Sequence, residues 1–390
     1  MINRGILILL VLVASVAGAE TSPPSTTVDC NQGQSLNATL AKLNKQTPNT
    51  VTVSGTCTEY VQVIGFENLT LTGLAGATLL QPTTGAGNVL NSLLYIEGSH
   101  SVTVNGFSVQ ADTVTDPAIG IGHGSSDIRL RNLNIVGGTF GIIIFENSQV
   151  SIAYVTAQDP GYATLGVYDS SDVHVERSAF KNSTGAGYEV AIDVGASHVT
   201  MYGTTITNMQ VGINGHSSAI VDVQAFDTYY ALGGQTNVVI DSPAGTNYNG
   251  VTIEGGGSLN LGSANLVINK PGQTYGGTSG GILISGGASL TTSNGNLVIT
   301  GSKGQGVMAL NNSHATVIGA TVTGGSHGGL VAANLSSIDV SAGTTLTLVG
   351  GNSVDLFCDP DSTITGSVNL SGVSIAQCTN LLAGETVTLP

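Results

Sequence analysis

Five side chains able to do acid–base chemistry recur at intervals close to 23 residues: His123, Glu146, Asp169, Asp193 and His216, with Tyr168 beside Asp169. If each interval is one coil of a stacked structure, His123, Glu146, Asp169 and His216 fall into one column of turns, with Asp193 in the intervening coil. Carboxylates one coil apart would have backbones about 4.8 Å apart, near the roughly 5–5.5 Å separation of a retaining glycosidase. Two coils, about 9.6 Å, approach the upper limit for an inverting one. Stacked carboxylates repel, so one pKa should rise and suit a general acid, unless Ca²⁺ neutralises the pair. The competing reading makes Glu146 and Asp169 ordinary turn residues whose oxygens take backbone N–H groups.

A second set suits elimination, in which a base removes the proton beside a uronate and a cation holds the resulting charge. Arg129 and Arg131 alternate outward from Ile128 and Leu130, and His174 and Glu176 take the corresponding places two coils later. Arg177 and Lys181 are nearby. Arg is ordinarily too basic to act as the base, so a ladder of surface ion pairs is the plainer reading. With so few cations, binding a polyuronate would call for Ca²⁺ bridges. The catalytic candidates are therefore Glu146, Asp169, Asp193 and His123; the substrate-binding candidates are Tyr168, His216, Arg129, Arg131 and Tyr188. Tyr162, Tyr229 and Tyr230 could add aromatic platforms, although the chain has no Trp. His198, His314 and His327 read as solvated turn residues without metal spacing.

These groups need a scaffold, and the chain repeats. Segments opening at Asp127, Gln149, Asp172, His198 and Ala219 resemble one another at spacings of 22, 23, 26 and 21 residues, and others open at Ser289, His314 and Ser337. A short strand and a small polar turn precede each, as in Gly141-Ile142-Ile143-Ile144 before Asn147-Ser148. Short alternating strands cannot bury their apolar faces alone, so coil must stack on coil. A propeller blade needs about 40–45 residues. A period near 23 instead fits one solenoid turn of two or three strands. About 15 coils would make a rod roughly 70 Å long. Ser35 can cap a helix over about 35–46 in which Leu36, Leu40 and Leu43 share a face; Pro48 ends it, and it would shield the open end of the stack.

Composition narrows the partners. Gly makes up 55 of 390 residues without a three-residue period, and 24 acidic side chains face nine basic ones for a charge of −15. That balance argues against nucleic acid and anionic membrane surfaces. Residues 112–193 hold 14 charged side chains, whereas 242–338 hold three, Glu254, Lys270 and Lys303. The working coils are placed at 112–230 and a low-charge scaffold at 242–357. Arg4, the apolar run from Ile6 to Val16 and Ala17-Gly18-Ala19 read as an export signal over 1–19, too short to span a bilayer. The remainder, 20–390, is expected to be a single secreted domain, monomeric and without membrane insertion. Cys30 with Cys57, and Cys358 with Cys378, are expected as disulfides, the latter closing the end at 358–378.

The run from Val51 to Val63, Asn68-Leu-Thr-Leu-Thr-Gly73 and the later Gly-Ile-x-Ile…Asn-Ser repeats resemble right-handed parallel β-helix proteins of the pectin lyase-like superfamily. The resemblance spans most of 30–380 and implies an all-β, single-stranded right-handed parallel β-helix with a short N-terminal capping helix. The superfamily holds lyases, hydrolases, esterases, epimerases and non-catalytic adhesins. Gly122-His123-Gly124 resembles a polygalacturonase motif in which the histidine supports catalytic carboxylates; that family's Asn-Thr-Asp, Asp-Asp and Arg-Ile-Lys elements are absent. Two functions follow as expectations: binding or cleavage of an extracellular polysaccharide by a lyase or glycoside hydrolase, or a non-catalytic matrix role. No cofactor beyond possible Ca²⁺ is implied.

Overall fold

The structure is a computed structural model describing residues 25–83, 92–112, 116–183, 189–224, 237–241, 249–262, 264–271, 279–293, 297–324, 328–341, 345–347, 356–366, 369–371 and 375–376. The export signal, Tyr188, Tyr229, Tyr230, His327 and Cys378 lie outside these residues.

Alternation at period two builds three strands per coil, and coils stack into three all-parallel sheets. In one central coil, Phe140–Ile144 belongs to the first sheet, Gln149–Ala153 to the second and Thr156–Gln158 to the third. Among the described residues, the sheets contain 13, 14 and 13 strands respectively. Inward positions stack like on like: Ile119, Ile142, Leu165, Ile192 and Ile213 form one row of the first sheet. All five are fully buried. Outward positions of the same strands are thereby left free for function.

Most first-sheet strands end in a turn with left-handed backbone. Glu146 and Asn147 have φ of 57° and 58°, Asp169 and Ser170 57° and 62°, Asn311 and Asn312 57° and 62°. This conformation is cheapest for Gly, Asn and Asp, which explains the polar residues found there. The next residue is commonly a buried serine. Ser148 N–H donates to Ser171 Oγ at 3.2 Å, Ser171 N–H to Ser197 Oγ at 3.1 Å, and Ser336 N–H to Ser362 Oγ at 3.1 Å. Serine therefore satisfies a buried N–H of the preceding coil and fixes its height.

The N-terminal end differs from expectation in two ways. Ser25–Asp29 forms a strand parallel to Asn49–Ser54, extending the second sheet ahead of the cap. The helix covers only Leu36–Leu40 rather than 35–46. Ser35 Oγ accepts the Ala38 N–H at 3.0 Å, and the Glu59 carboxylate takes the Leu36 N–H at 2.6 Å. Beyond Leu40 the bonds tighten to i→i+3, Leu43 N–H to Leu40 O at 3.1 Å, and Asn44 Oδ1 takes the Gln46 N–H in a turn of its own. Cys30 and Cys57 form a disulfide, with Cα atoms 5.1 Å apart. Cys358 is disulfide-bonded as well.

Candidate functional site

The outward face of the first sheet carries a buried carboxylate. Asp193 sits mid-strand in Val190–Gly195, between Gly166 of the preceding coil and Asn214 of the next, and is 2% exposed. Its Oδ2 accepts the Tyr168 hydroxyl at 2.5 Å and the Tyr162 hydroxyl at 3.2 Å. Its Oδ1 accepts Asn214 Nδ2 at 2.8 Å, and His216 Nε2 lies 3.6 Å away. Burial, followed by the bond to Asp193, pushes the Tyr168 hydroxyl well above its ordinary pKa and keeps it a donor.

Glycine makes the surrounding aromatic layer possible. A Cβ at Gly195 would lie 2.7 Å from His216 Cε1 and 3.0 Å from Tyr168 Cδ1. One at Gly166 would lie 2.8 Å from both Phe140 Cε1 and Tyr168 Cε2. Phe140 meets Tyr162 and Tyr168 edge-on, with centroids 5.3 and 6.2 Å apart. The rings thus lie directly over bare backbone, with Asp193 holding their polar edges.

Glu189, just before the same strand, was not singled out by its sequence position. Burial, then the charge of Asp159, raises its carboxyl pKa to about 7, with a bond from Asn182 acting in the opposite direction. Its Oε2 is buried without a hydrogen-bond partner. The Val190 N–H donates to the carbonyl of Tyr162 at 2.9 Å, which ties this segment to the Asp193 cluster. A readable signal was its position: a lone acidic residue directly before the apolar run Val190-Ala191-Ile192.

The expected column is only partly assembled. Ile121 pairs with Ile144, and Ile144 with Val167, so His123, Glu146 and Asp169 do follow one another coil by coil. His216 does not join them; it pairs with Gly195, in the row of Tyr168 one residue earlier. Glu146 is not paired with Asp169: its Oε2 lies 2.6 Å from His123 Nδ1, while the Asp169 side chain is exposed and bonds to nothing among the described residues. Among those residues, three possible metal-ligating groups converge only at Cys30, Cys57 and Glu59, where both sulfurs are used by the disulfide.

Arg129 and Arg131 stand round the corner on the second sheet, in the rows of His174 and Glu176 as the alternation predicts. Arg129 is occupied by Asp127 at 2.8 Å. On that face the Tyr202 hydroxyl donates to Glu176 Oε2 at 2.5 Å, and His174 Nε2 is 3.8 Å from the same oxygen. Burial lowers the His174 pKa. His198, expected to be a solvated turn residue, instead bridges Asp172 at 3.1 Å and Asp222 at 3.0 Å.

The chain matches the family model of a right-handed β-helix region over residues 86–228. No curated protein sequence matches it. Among solved structures it resembles a GH87 α-1,3-glucanase catalytic domain in complex with tetrasaccharides, at 13% identity and TM-score 0.55, over 90% of this chain and 70% of that one. It resembles the GH87 α-1,3-glucanase catalytic unit of Streptomyces thermodiastaticus at 13% identity and TM-score 0.53, over 93% and 72%. The receptor-binding tailspike of bacteriophage Det7 matches at 11% identity and TM-score 0.54, over 89% and 73%. The architecture is thus a right-handed parallel β-helix, as the repeats imply.

Proposed function

We propose that this protein is secreted and binds an extracellular polysaccharide along the outer face of its first sheet, centred on Asp193. The observation that carries this reading is the Asp193 cluster: a buried carboxylate outside the core that fixes two tyrosines and an asparagine in one aromatic surface. Flat rings with oriented polar edges suit a sugar ring, which offers apolar C–H faces and a hydroxyl rim. The similar α-1,3-glucanase domain solved with tetrasaccharides is a precedent for glycan binding on this kind of scaffold. The signal-like segment and the Cys30–Cys57 disulfide suit an oxidising compartment. Titration calorimetry of the mature chain against a polysaccharide panel tests the reading. Binding lost in Tyr168→Phe or His216→Ala supports it; binding untouched by both defeats it.

A second reading, cleavage by hydrolysis, is favoured by Glu189. A carboxyl titrating near 7 keeps its proton in about half the molecules at neutral pH and can hand that proton to a glycosidic oxygen, with Asp159 as the neighbouring carboxylate. Elimination has less support, because Arg129 and Arg131 stand on another sheet. New reducing ends without unsaturated product absorbance, abolished in Glu189→Gln, would establish hydrolysis; unsaturated products would replace it with elimination.

A further inference from the structure

We propose that the glycan on the first sheet is uncharged, and that its end away from Asp193 is held by Tyr95, Glu97, His123 and Glu146. The inference rests on the saccharide-binding reading and adds to it the substrate class and a second point of contact.

The first ground is charge. Among the described residues, the first-sheet strands and the turns that follow them carry Glu67, Glu97, Asp127, Glu146, Asp169, Asp193, Glu254, Asp359 and Asp361, and no Lys or Arg. Arg129 and Arg131 lie in a second-sheet strand, and Arg177 immediately follows another. A uronate chain laid along the first sheet would set carboxylate against carboxylate without a counter-charge. Neutral sugar hydroxyls instead donate to these carboxylates, in the stronger, charge-assisted kind of hydrogen bond.

The second ground is an unsatisfied hydroxyl. Tyr95 is 4% exposed, and its Oη is buried without a hydrogen-bond partner. Burial, then the charges of Glu97 and Glu146, push its pKa up to about 12, so both carboxylates act on a hydroxyl that keeps its proton. His123 stands between those carboxylates, with Nδ1 2.6 Å from Glu146 and Nε2 3.8 Å from Glu97. Two acceptors, a histidine and a donor lacking an acceptor make a polar cradle for a polyol. A buried donor without a partner costs stability, and native structures usually satisfy it.

The third ground is continuity. Tyr95 pairs with Gly120, Gly120 with Ile143, Ile143 with Gly166 and Gly166 with Asp193, so the two ends share one outward row. Four coil steps separate them, about 19 Å along the axis. Rings cover glycines here too: a Cβ at Gly122 would lie 2.6 Å from Phe145 Cε2, and one at Gly120 3.2 Å from Tyr95 Cδ2.

The test is calorimetric titration of the mature chain, with a chelator present, against neutral polymers (dextran, laminarin, xylan, galactomannan) and uronates (polygalacturonate, alginate). The expected result is binding within the neutral set, insensitive to salt, and none to the uronates. Glu97→Gln combined with Glu146→Gln should weaken the neutral ligand by about tenfold or more. Circular dichroism of that variant should match the parent. A uronate bound without divalent ions overturns the uncharged class while leaving the saccharide reading intact. Neutral binding indifferent to the double substitution overturns the distal contact. Binding to neither set defeats the saccharide reading, and the inference with it.

Discussion

Asp193 accepts hydrogen bonds from three side chains, and no other group in the cluster could replace it. Asp193→Asn puts an N–H where a tyrosine hydroxyl now donates or where Asn214 does. It should cost about 2 kcal/mol of stability and abolish glycan binding, checked by denaturant titration and calorimetry. Gly195→Ala tests the aromatic layer, since the atoms nearest the added Cβ belong to His216 and Tyr168. Affinity should fall while the far-ultraviolet spectrum stays unchanged. Glu189 makes a prediction about pH. Its folded pKa, about 7, exceeds the ordinary 4.5, so the folded state holds the proton longer and stability falls as pH rises between those values. Glu189→Gln should therefore raise the melting temperature at pH 8 and change it little at pH 4. The reverse order would show that Glu189 is not a buried, proton-retaining group. Asp193 was visible in the sequence as a charge inside a Val-Ala-Ile-Asp-Val strand. Tyr162 and Tyr168 were visible as candidate aromatics but their bonds to Asp193 were not, because Tyr162 comes from the turn before the preceding coil's strand and nothing in its spacing points at Asp193.

At the level of the element, the repeat was legible and its exact phase less so. Two strands per coil stood out through alternation at a period near 23. The third strand, often three residues long as in Thr156–Gln158 and Ala179–Lys181, is too short to show its period. The polar residues after the first strand were also visible, but spacing alone could not separate the left-handed turn from the last outward strand position. That one-residue difference moves His216 from the row of Glu146 to that of Tyr168. The short helix was misjudged in length because Asn44 competes for its backbone. The Asn-Ser signature proved to hold the turn together. Ser171→Ala leaves the buried Ser148 N–H without its acceptor and should cost about 1–3 kcal/mol. Ser151→Ala, an outward change on the second sheet, should stay within about 0.5 kcal/mol. Equal losses from the two would contradict the role of the serine stack.

For the whole molecule, three sheets running from end to end make each coil depend on its neighbours, and the first and last have only one. The Cys30–Cys57 link closes 27 residues at the N-terminal end, worth about 3–4 kcal/mol in the chain-entropy model. Replacing both cysteines with serine should release hydrogen-exchange protection over the first coils and preserve it around Asp193. Uniform loss along the rod would show instead that the chain unfolds as one unit. The serine stack has a further consequence, for how such a chain can change its length. Where serine occupies the turn, the N–H seeks the same oxygen one coil away, so those coils are indifferent to which neighbour supplies it. Ser313 donates to Ser336, 23 residues on, and Ser336 donates in turn to Ser362. Excising one whole repeat between such serines would rejoin equivalent positions and give a shorter rod that still folds. Excising a single residue would instead throw every later inward side chain of that strand to the outside. Insertions and deletions in its lineage should therefore come in whole coils, making length a trait that evolves in steps.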